Sequence, residues 1–126
     1  AIADPRARSG ALVVMGDCPL ASAAALDRLA RAARPVAVAP AHDGGLNALA
    51  LRDVRSLEPA FGVPDAATRT LERARAAGLE AAVLDDSGLA FDIDNPPDVW
   101  RLREYDHTTR AHEALAAILP PTGGLV

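Results

Sequence analysis

The sequence predicts an α/β fold, a three-layer sandwich in which helices cover both faces of a mostly parallel sheet. Short apolar segments alternate along the chain with longer segments that have helical periodicity. Half of the 126 residues are hydrophobic but only 3% are aromatic, so Ala, Val, Leu and Ile must build the core. No repeat or linker interrupts this pattern, so residues 1–126 are expected to form a single domain, with residues 120–126 as a flexible tail.

The first half of the chain contains three strand patterns and one helix pattern. The apolar segments ALVVM, PVAVA and NALALR are typical of buried strands, because each is short and bounded by turn residues. Ser22 precedes an apolar stripe with helical spacing and is a suitable N-cap. The predicted order is a strand at residues 11–15, a helix at 22–33, and strands at 35–39 and 47–52.

The middle of the chain predicts a helix followed by a strand. Residues 53–63 show no regular period. Pro64 and Asp65 then open a helix, with Asp65 as the simplest N-cap, and Gly78 closes it. The segment LEAAVL at residues 79–84 predicts the next strand.

The last third of the chain predicts one more strand and two helices. The segment LAFDID, residues 89–94, is short and apolar at alternate positions, which favours a strand. Asn95 can cap the following helix, with Pro96 in its first turn and Asp98 near the positive end of its dipole. A final helix is expected from about residue 108 to residue 119.

Charge and cysteine content exclude several classes of function. The net charge is −4 and the pI is about 5.2, so no broad basic surface for nucleic acid is indicated. The single cysteine cannot form an internal disulfide, which favours a reducing cytoplasm. No apolar run approaches the roughly 20 residues that a membrane-spanning helix needs. We therefore expect a cytoplasmic protein without nucleic-acid or membrane partners.

Three aspartates form a candidate metal site. Asp17 follows the strand at residues 11–15, and ligands of α/β proteins gather at the carboxyl ends of strands. If residues 89–94 are extended, Asp92 and Asp94 point to the same side of the backbone. Mg²⁺ prefers hard oxygen ligands such as these. The alternative is that Asp17 is a turn residue and that the later pair is a solvated strand end.

A glycine-rich loop forms a second candidate site. Gly44 and Gly45 would let the backbone approach a ligand and present N–H groups to a phosphate or carboxylate. Asn47 follows and could hydrogen-bond a nucleotide or substrate. A Gly-Gly turn between strands is also common without any ligand, so both interpretations remain open.

The ordered set of motifs resembles one enzyme family. VVMGDCPL, GGLNALALR, the Phe-Gly pair at 61–62 and LAFDIDNPPD occur in the order and spacing of the phospholactate/phosphoenolpyruvate guanylyltransferases of coenzyme F420 biosynthesis. The resemblance extends from about residue 11 to residue 102. It implies a MobA-like nucleotidyltransferase with a Rossmann-like fold. It also implies a reaction in which a small phosphorylated acid attacks the α-phosphate of GTP.

The resemblance assigns roles to individual residues. Asp17, Asp92 and Asp94 would be the catalytic carboxylates that bind Mg²⁺ or Mn²⁺, in agreement with the interpretation made from the residues alone. The backbone around the glycines of the loop and around the Phe-Gly pair would help to hold the acid substrate. The matching substrate-binding positions are Gly44, Gly45, Leu46, Asn47, Gly62 and Asp65.

Two of these positions differ from the family pattern. Leu46 stands where the family usually has a small hydroxyl residue, and Asp65 lies near the place of a serine that meets the anionic substrate. A related transferase with another acceptor, such as a sugar phosphate or a pterin cofactor, therefore remains open. So does a non-catalytic binding or assembly domain.

The resemblance also predicts a missing unit. The family begins with a strand and a glycine-rich nucleotide loop, but only ten residues precede Ala11. We expect the chain to correspond to the C-terminal portion of the family fold. A sheet that lacks its first strand exposes an edge, so a homodimer contact or a partner chain is expected to cover it.

Overall fold

The computed structural model describes residues 10–105 and 109–118. The chain divides into two compact units, Ala1–Asp92 and Ile93–Val126. The predicted tail at residues 120–126 lies outside the described residues. The elements of the first unit are β1 (Ala11–Val14), α1 (Ala23–Ala32), β2 (Val36–Pro40), β3 (Leu46–Leu51), α2 (Ala66–Ala76), β4 (Ala81–Val83) and α3 (Ser87–Ala90), and those of the second are α4 (Pro96–Leu102) and α5 (Arg110–Ile118).

The four strands form one mixed sheet in the order β1-β3-β2-β4. Strand β3 pairs antiparallel with both β1 and β2, whereas β2 and β4 are parallel. The α/β class is confirmed, but the prediction of a mostly parallel sheet is wrong. The reason is the connection between β2 and β3, because residues 41–45 are too few for a crossover and can close only a hairpin.

Alternating side chains of the central strands face two different helices. Ala37 and Ala39 of β2 pack with α1, whereas Val36 and Val38 pack with α2. The same division holds in β3, where small alanines face α1 and leucines face α2. A strand covered on both faces has a continuous apolar sequence, which explains why PVAVA and NALALR show no polar positions beyond Asn47 and the terminal Arg52. Helices therefore cover both faces of the sheet, as the sequence predicts.

The ends of α1 and α2 follow from local hydrogen bonding. The Ser22 hydroxyl accepts a hydrogen bond from the Ala25 N–H at 3.1 Å, which confirms the predicted N-cap of α1. Helix α2 ends at Ala76, and Gly78 follows the C-cap Ala77 with a φ of +73°, which is unfavourable for a residue with a side chain. The Leu79 N–H then donates to the Ala74 carbonyl at 2.9 Å and closes the helix.

Strand β1 lies at the edge of the sheet rather than in its interior. Leu12 is 43% exposed and Met15 is 38% exposed, so the prediction of a fully buried strand is wrong here. The strand has one partner, β3, among the described residues. Leu12 is exposed, whereas Val14 packs against the core that faces α1, and the apolar sequence alone does not distinguish these two situations.

Residues 89–94 do not form the predicted strand. Ser87–Ala90 is instead a short helix, α3, and residues 91–94 are neither helix nor strand. Asp86 caps this helix by accepting a hydrogen bond from the Leu89 N–H at 2.9 Å. Its other carboxylate oxygen bonds to Arg28 of α1 at 2.7 Å. The argument that Asp92 and Asp94 share one face of a strand therefore fails.

Helix α4, the first helix of the second unit, begins with a reciprocal capping box. The Asn95 side chain accepts from the Asp98 N–H, and the buried Asp98 carboxylate accepts in return from the Asn95 N–H at 3.2 Å. This capping box confirms the helix start predicted at Asn95. In the same unit, the His112 ring contacts the Leu102 carbonyl through Nε2 at 2.8 Å, which links α5 to the end of α4. None of the helices among the described residues has the length and apolar character that crossing a membrane requires.

Candidate functional site

Asp17 and Asp92, which are 75 positions apart in the sequence, bring their carboxylates together in the first unit. One oxygen of each lies within 4.8 Å of the other, and both side chains are half-buried. Asp17 stands in the turn after β1, and Asp92 stands two residues after α3. The structure thus unites the first aspartate with one member of the later pair, although the predicted strand is absent.

Strand pairing fixes the position of Asp17. The Met15 N–H donates to the Asn47 carbonyl at 2.9 Å and so extends the pairing of β1 with β3 to the residue before Gly16-Asp17. The adjacent Cys18 is buried, and its Sγ lies 3.9 Å from Asp17 Oδ1, at the long end of a weak S–H hydrogen bond. The chain therefore leaves the sheet edge at a defined point and presents the carboxylate there.

The segment carrying Asp92 is attached to the β2–β3 hairpin. Asn47 Nδ2 donates to the Leu89 carbonyl at 2.8 Å and to Asp92 Oδ1 at 3.2 Å. The His42 N–H donates to the Ala90 carbonyl at 3.1 Å. Three hydrogen bonds to Leu89, Ala90 and Asp92 thus hold an irregular segment in place without strand pairing. No local pattern in the sequence predicts these contacts, because they join residues more than 40 positions apart.

The donor set fits a hard divalent cation. Two like charges this close repel each other unless a cation lies between them. Within the described residues, neither Asp17 nor Asp92 forms an ion pair with an arginine or a histidine. Two ligands of one octahedral Mg²⁺ stand about 3 to 4.2 Å apart, so at most a small rotation of one carboxylate would bring both into its shell. Asp17 and Asp92 can therefore hold a divalent cation.

Asp94 is the second residue of the second unit, separated from Asp92 only by Ile93. Its side chain is exposed, and its N–H donates to Asp98 Oδ2 at 2.9 Å within that unit. Two residues of chain span at most about 7 Å. Chain connectivity alone therefore keeps the Asp94 backbone near Asp92.

The glycine-rich loop uses its own N–H groups internally. The Gly44 N–H donates to the Ala41 carbonyl at 3.1 Å, and the Gly45 N–H donates to Asp43 Oδ1 at 3.0 Å. These donors, expected to face a ligand, have protein acceptors. Leu46 is 4% exposed and belongs to the core beneath α2, so only its main chain is available for a substrate contact.

Gly62 and Asp65 adopt left-handed backbone conformations near this loop. Gly62 has a φ of +72° and open space around its Cα. Asp65 has a φ of +56°, an uncommon conformation for a non-glycine residue. It occupies the N-cap position of α2, but its side chain makes no capping hydrogen bond. Its Oδ1 lies 3.6 Å from where a Cβ on Gly44 would stand, so the Asp65 carboxylate faces the glycine-rich loop.

Gly88 lets the two aspartate-bearing segments approach each other, which sequence reasoning missed. A Cβ at Gly88 would lie 2.7 Å from the Leu20 carbonyl oxygen, closer than any real contact. Gly88 is in α3, four residues before Asp92, and Leu20 follows Asp17 in the same loop. The absence of a side chain therefore sets the separation between α3 and the loop after β1.

We expect Gly88→Ala to weaken both folding and cation binding, because the added methyl group must push α3 away from the Leu20 carbonyl. The predicted loss is about 1 to 3 kcal/mol of unfolding free energy, measured by urea denaturation. The matched control is Gly16→Ala, since a Cβ there would meet nothing within 4 Å. Equal stability of the Gly88→Ala variant and the unmodified protein would contradict the close packing.

Comparison with known proteins identifies relatives of one kind. The model of the family described as "Guanylyl transferase CofC like" matches residues 5–119. A phosphoenolpyruvate guanylyltransferase of Sphaerobacter thermophilus is 44% identical over 105 residues, which cover 79% of this chain and 50% of that protein. A 2-phospho-L-lactate guanylyltransferase of Haloferax volcanii is 40% identical over 90 residues, which cover 69% of this chain and 41% of that protein.

A third relative agrees with the first two. The phosphoenolpyruvate guanylyltransferase of Roseiflexus castenholzii is 39% identical over 99 residues, which cover 77% of this chain and 46% of that protein. The chain spans about half the length of the curated relatives it matches. The resemblance inferred from the motifs is confirmed, and the chain belongs to the CofC-like guanylyl transferase family.

Proposed function

We propose that this chain provides the metal-binding and acceptor-binding part of a guanylyltransferase that acts in coenzyme F420 biosynthesis. The enzyme transfers GMP from GTP to a small phosphorylated acid, 2-phospholactate or phosphoenolpyruvate. The relatives' names support the substrates. The observation that carries the proposal is the approach of the Asp17 and Asp92 carboxylates, neither of which forms an ion pair with an arginine or a histidine among the described residues. The fold assignment proposed with it is a MobA-like, Rossmann-like nucleotidyltransferase.

Asp17 and Asp92 would hold Mg²⁺ or Mn²⁺, and Asp94 would supply the third carboxylate. The chemistry that a cation held there would supply is neutralisation of the charge that develops on the phosphates as pyrophosphate leaves. Asp17 is fixed by the end of β1, and Asp92 is fixed by Asn47, so both carboxylates are oriented before substrates arrive. Preorganised groups of this kind lower the barrier without rearranging during the reaction.

The reaction forms one phosphorus–oxygen bond and breaks another. A phosphate oxygen of the acid attacks the α-phosphorus of GTP, and the bond from that phosphorus to the bridging oxygen breaks as pyrophosphate leaves. The attacking phosphate is already an anion near neutral pH, so no side chain of this chain needs to remove a proton. The chain's residues therefore contribute by positioning and electrostatics.

The acceptor would bind along the glycine-rich loop and the Phe61-Gly62 turn. We assign it Gly44 and Gly45 for close backbone approach, the main chain of Leu46 and the open face of Gly62. The Asp65 carboxylate, which makes no capping hydrogen bond, borders this region. Its negative charge repels a strongly anionic acid. This repulsion favours a second candidate function, a related transferase with a less acidic acceptor.

A direct assay separates these candidates. The full encoded protein is incubated with GTP and Mg²⁺ together with 2-phospholactate, phosphoenolpyruvate or a sugar phosphate. We expect pyrophosphate release and a GMP adduct of one phosphorylated acid by mass spectrometry. An adduct of the sugar phosphate alone would establish the second candidate. Absence of any adduct and of cation binding would contradict the proposed function.

A further inference from the structure

We propose that Asn47 is a positioning residue for the cation site and that it acts by orienting the carboxylates of Asp17 and Asp92. This inference rests on the proposed function. It replaces the sequence-based role of Asn47 as a direct contact to the substrate. The geometry of its side chain and of its main chain supports the new role independently.

The Asn47 side chain is committed to the protein. It is 4% exposed, in a strand whose other residues are all apolar. Its NH₂ group has two donors, and both are used, by the Leu89 carbonyl at 2.8 Å and by Asp92 Oδ1 at 3.2 Å. A substrate could take either N–H only by displacing a bond that holds residues 89–92.

The main chain of Asn47 acts on the other aspartate. Its carbonyl accepts a hydrogen bond from the Met15 N–H at 2.9 Å, two residues before Asp17. Asn47 therefore contacts both aspartate-bearing segments, one through its side chain and one through its backbone. The next residue, Ala48, pairs with Val14 of β1 and with Ala39 of β2, so Asn47 stands beside a position held on both sides and gives the two segments a common reference.

The hydrogen bond to Asp92 orients its carboxylate. A donor bonded to Oδ1 restricts the rotation of the carboxylate group. Oδ2 is then the oxygen that remains for a cation. Loss of a partner that orients a metal ligand in this way typically weakens metal affinity 10- to 100-fold. We therefore expect substitution of Asn47 to weaken cation binding by about tenfold or more.

The test compares two variants that each remove a buried polar side chain. Asn47→Leu removes the donors with a similar volume. The control, Thr70→Val, removes a fully buried hydroxyl that accepts from the Ala60 N–H at 3.1 Å, in α2, which packs on the other face of the sheet from α3. Both variants are expected to lose stability. Mn²⁺ affinity, measured by electron paramagnetic resonance of the free ion, is expected to fall only in Asn47→Leu.

A second measurement needs no folded variant. These 126 residues contain no glutamine and two asparagines, Asn47 and Asn95, so they contribute two side-chain NH₂ groups to a ¹⁵N spectrum. Mg²⁺ that binds Asp92 must change the hydrogen bond donated by Asn47. We expect its NH₂ signal to shift with the same apparent dissociation constant as cation binding, with the assignment taken from selective labelling.

The outcomes separate the two proposals. An unmodified protein that binds no divalent cation would overturn the proposed metal site and the role of Asn47 together. If the unmodified protein binds Mn²⁺ and Asn47→Leu binds it equally well, only the role of Asn47 is overturned. A fixed Asn47 signal at saturating Mg²⁺ would also overturn that role. If Asn47→Leu does not fold, the signal of the unmodified protein decides the question.

Discussion

Asp92→Asn is expected to reduce guanylyl transfer by about a hundredfold or more, since a few kcal/mol of charge stabilisation in the transition state would be lost. The fold should survive. Asp92 is half-buried, and its Oδ1 only accepts a hydrogen bond from Asn47 at 3.2 Å. An asparagine oxygen can accept the same bond. The substitution therefore removes the negative charge at the site and leaves its geometry close to that of the unmodified protein.

The matched control is Asp53→Asn. Asp53 is exposed, follows the opposite end of β3 from Asn47, and accepts the Arg55 N–H at 2.9 Å through Oδ1. Asp53→Asn removes one negative charge, and the asparagine oxygen can still accept the Arg55 N–H, so the change matches that of Asp92→Asn. Activity and Mg²⁺ dependence should match those of the unmodified protein. If both variants lose activity equally, net charge rather than the site explains the effect and the assignment of Asp92 fails.

Leu49→Ala is expected to have the largest effect on stability, about 3 kcal/mol of unfolding free energy. Leu49 is fully buried in β3, between Val13 of β1 and Val38 of β2, and belongs to the core that faces α2. Its truncation removes apolar contacts at the centre of the sheet and leaves a cavity that paired strands cannot easily close. Urea denaturation followed by circular dichroism measures the change.

Leu12→Ala is the same substitution in the neighbouring strand. Leu12 lies in β1, where it pairs with Ala50 of β3, but it is 43% exposed. Its truncation should therefore cost about 1 kcal/mol or less of unfolding free energy. Comparison of the two variants shows that the loss of unfolding free energy depends on the burial of the leucine and not only on its presence in a strand. Equal losses in the two variants would mean that the edge face of β1 is covered in solution, contrary to its exposure in this structure.

The sequence predicted most helices and strands because their signals are local. Ser22 and Asn95 make the capping contacts expected of them, and Gly78 ends α2. Each of these signals acts over three or four residues and is independent of distant contacts. The direction of β3 was also available locally, since residues 41–45 are too short to join parallel strands.

The errors lie where distant contacts decide the structure. LAFDID has a strand pattern, but Asp86 caps a helical turn there and Asn47 holds the following residues by hydrogen bonds across the fold. The approach of Asp17 to Asp92 was expected from the family resemblance and from strand-end geometry. It arises instead from a loop held by Asn47 and from the lack of a side chain at Gly88. Such contacts produce no periodic pattern in the sequence.

The central claim is that Asp17 and Asp92 share one divalent cation. A crystal of the full encoded protein soaked in Mn²⁺ and GTP, with anomalous diffraction recorded for manganese, tests it directly. We predict an anomalous peak roughly 2 to 2.5 Å from a carboxylate oxygen of both Asp17 and Asp92. A fully occupied manganese position bound to other residues, with these two carboxylates free of it, would contradict the account.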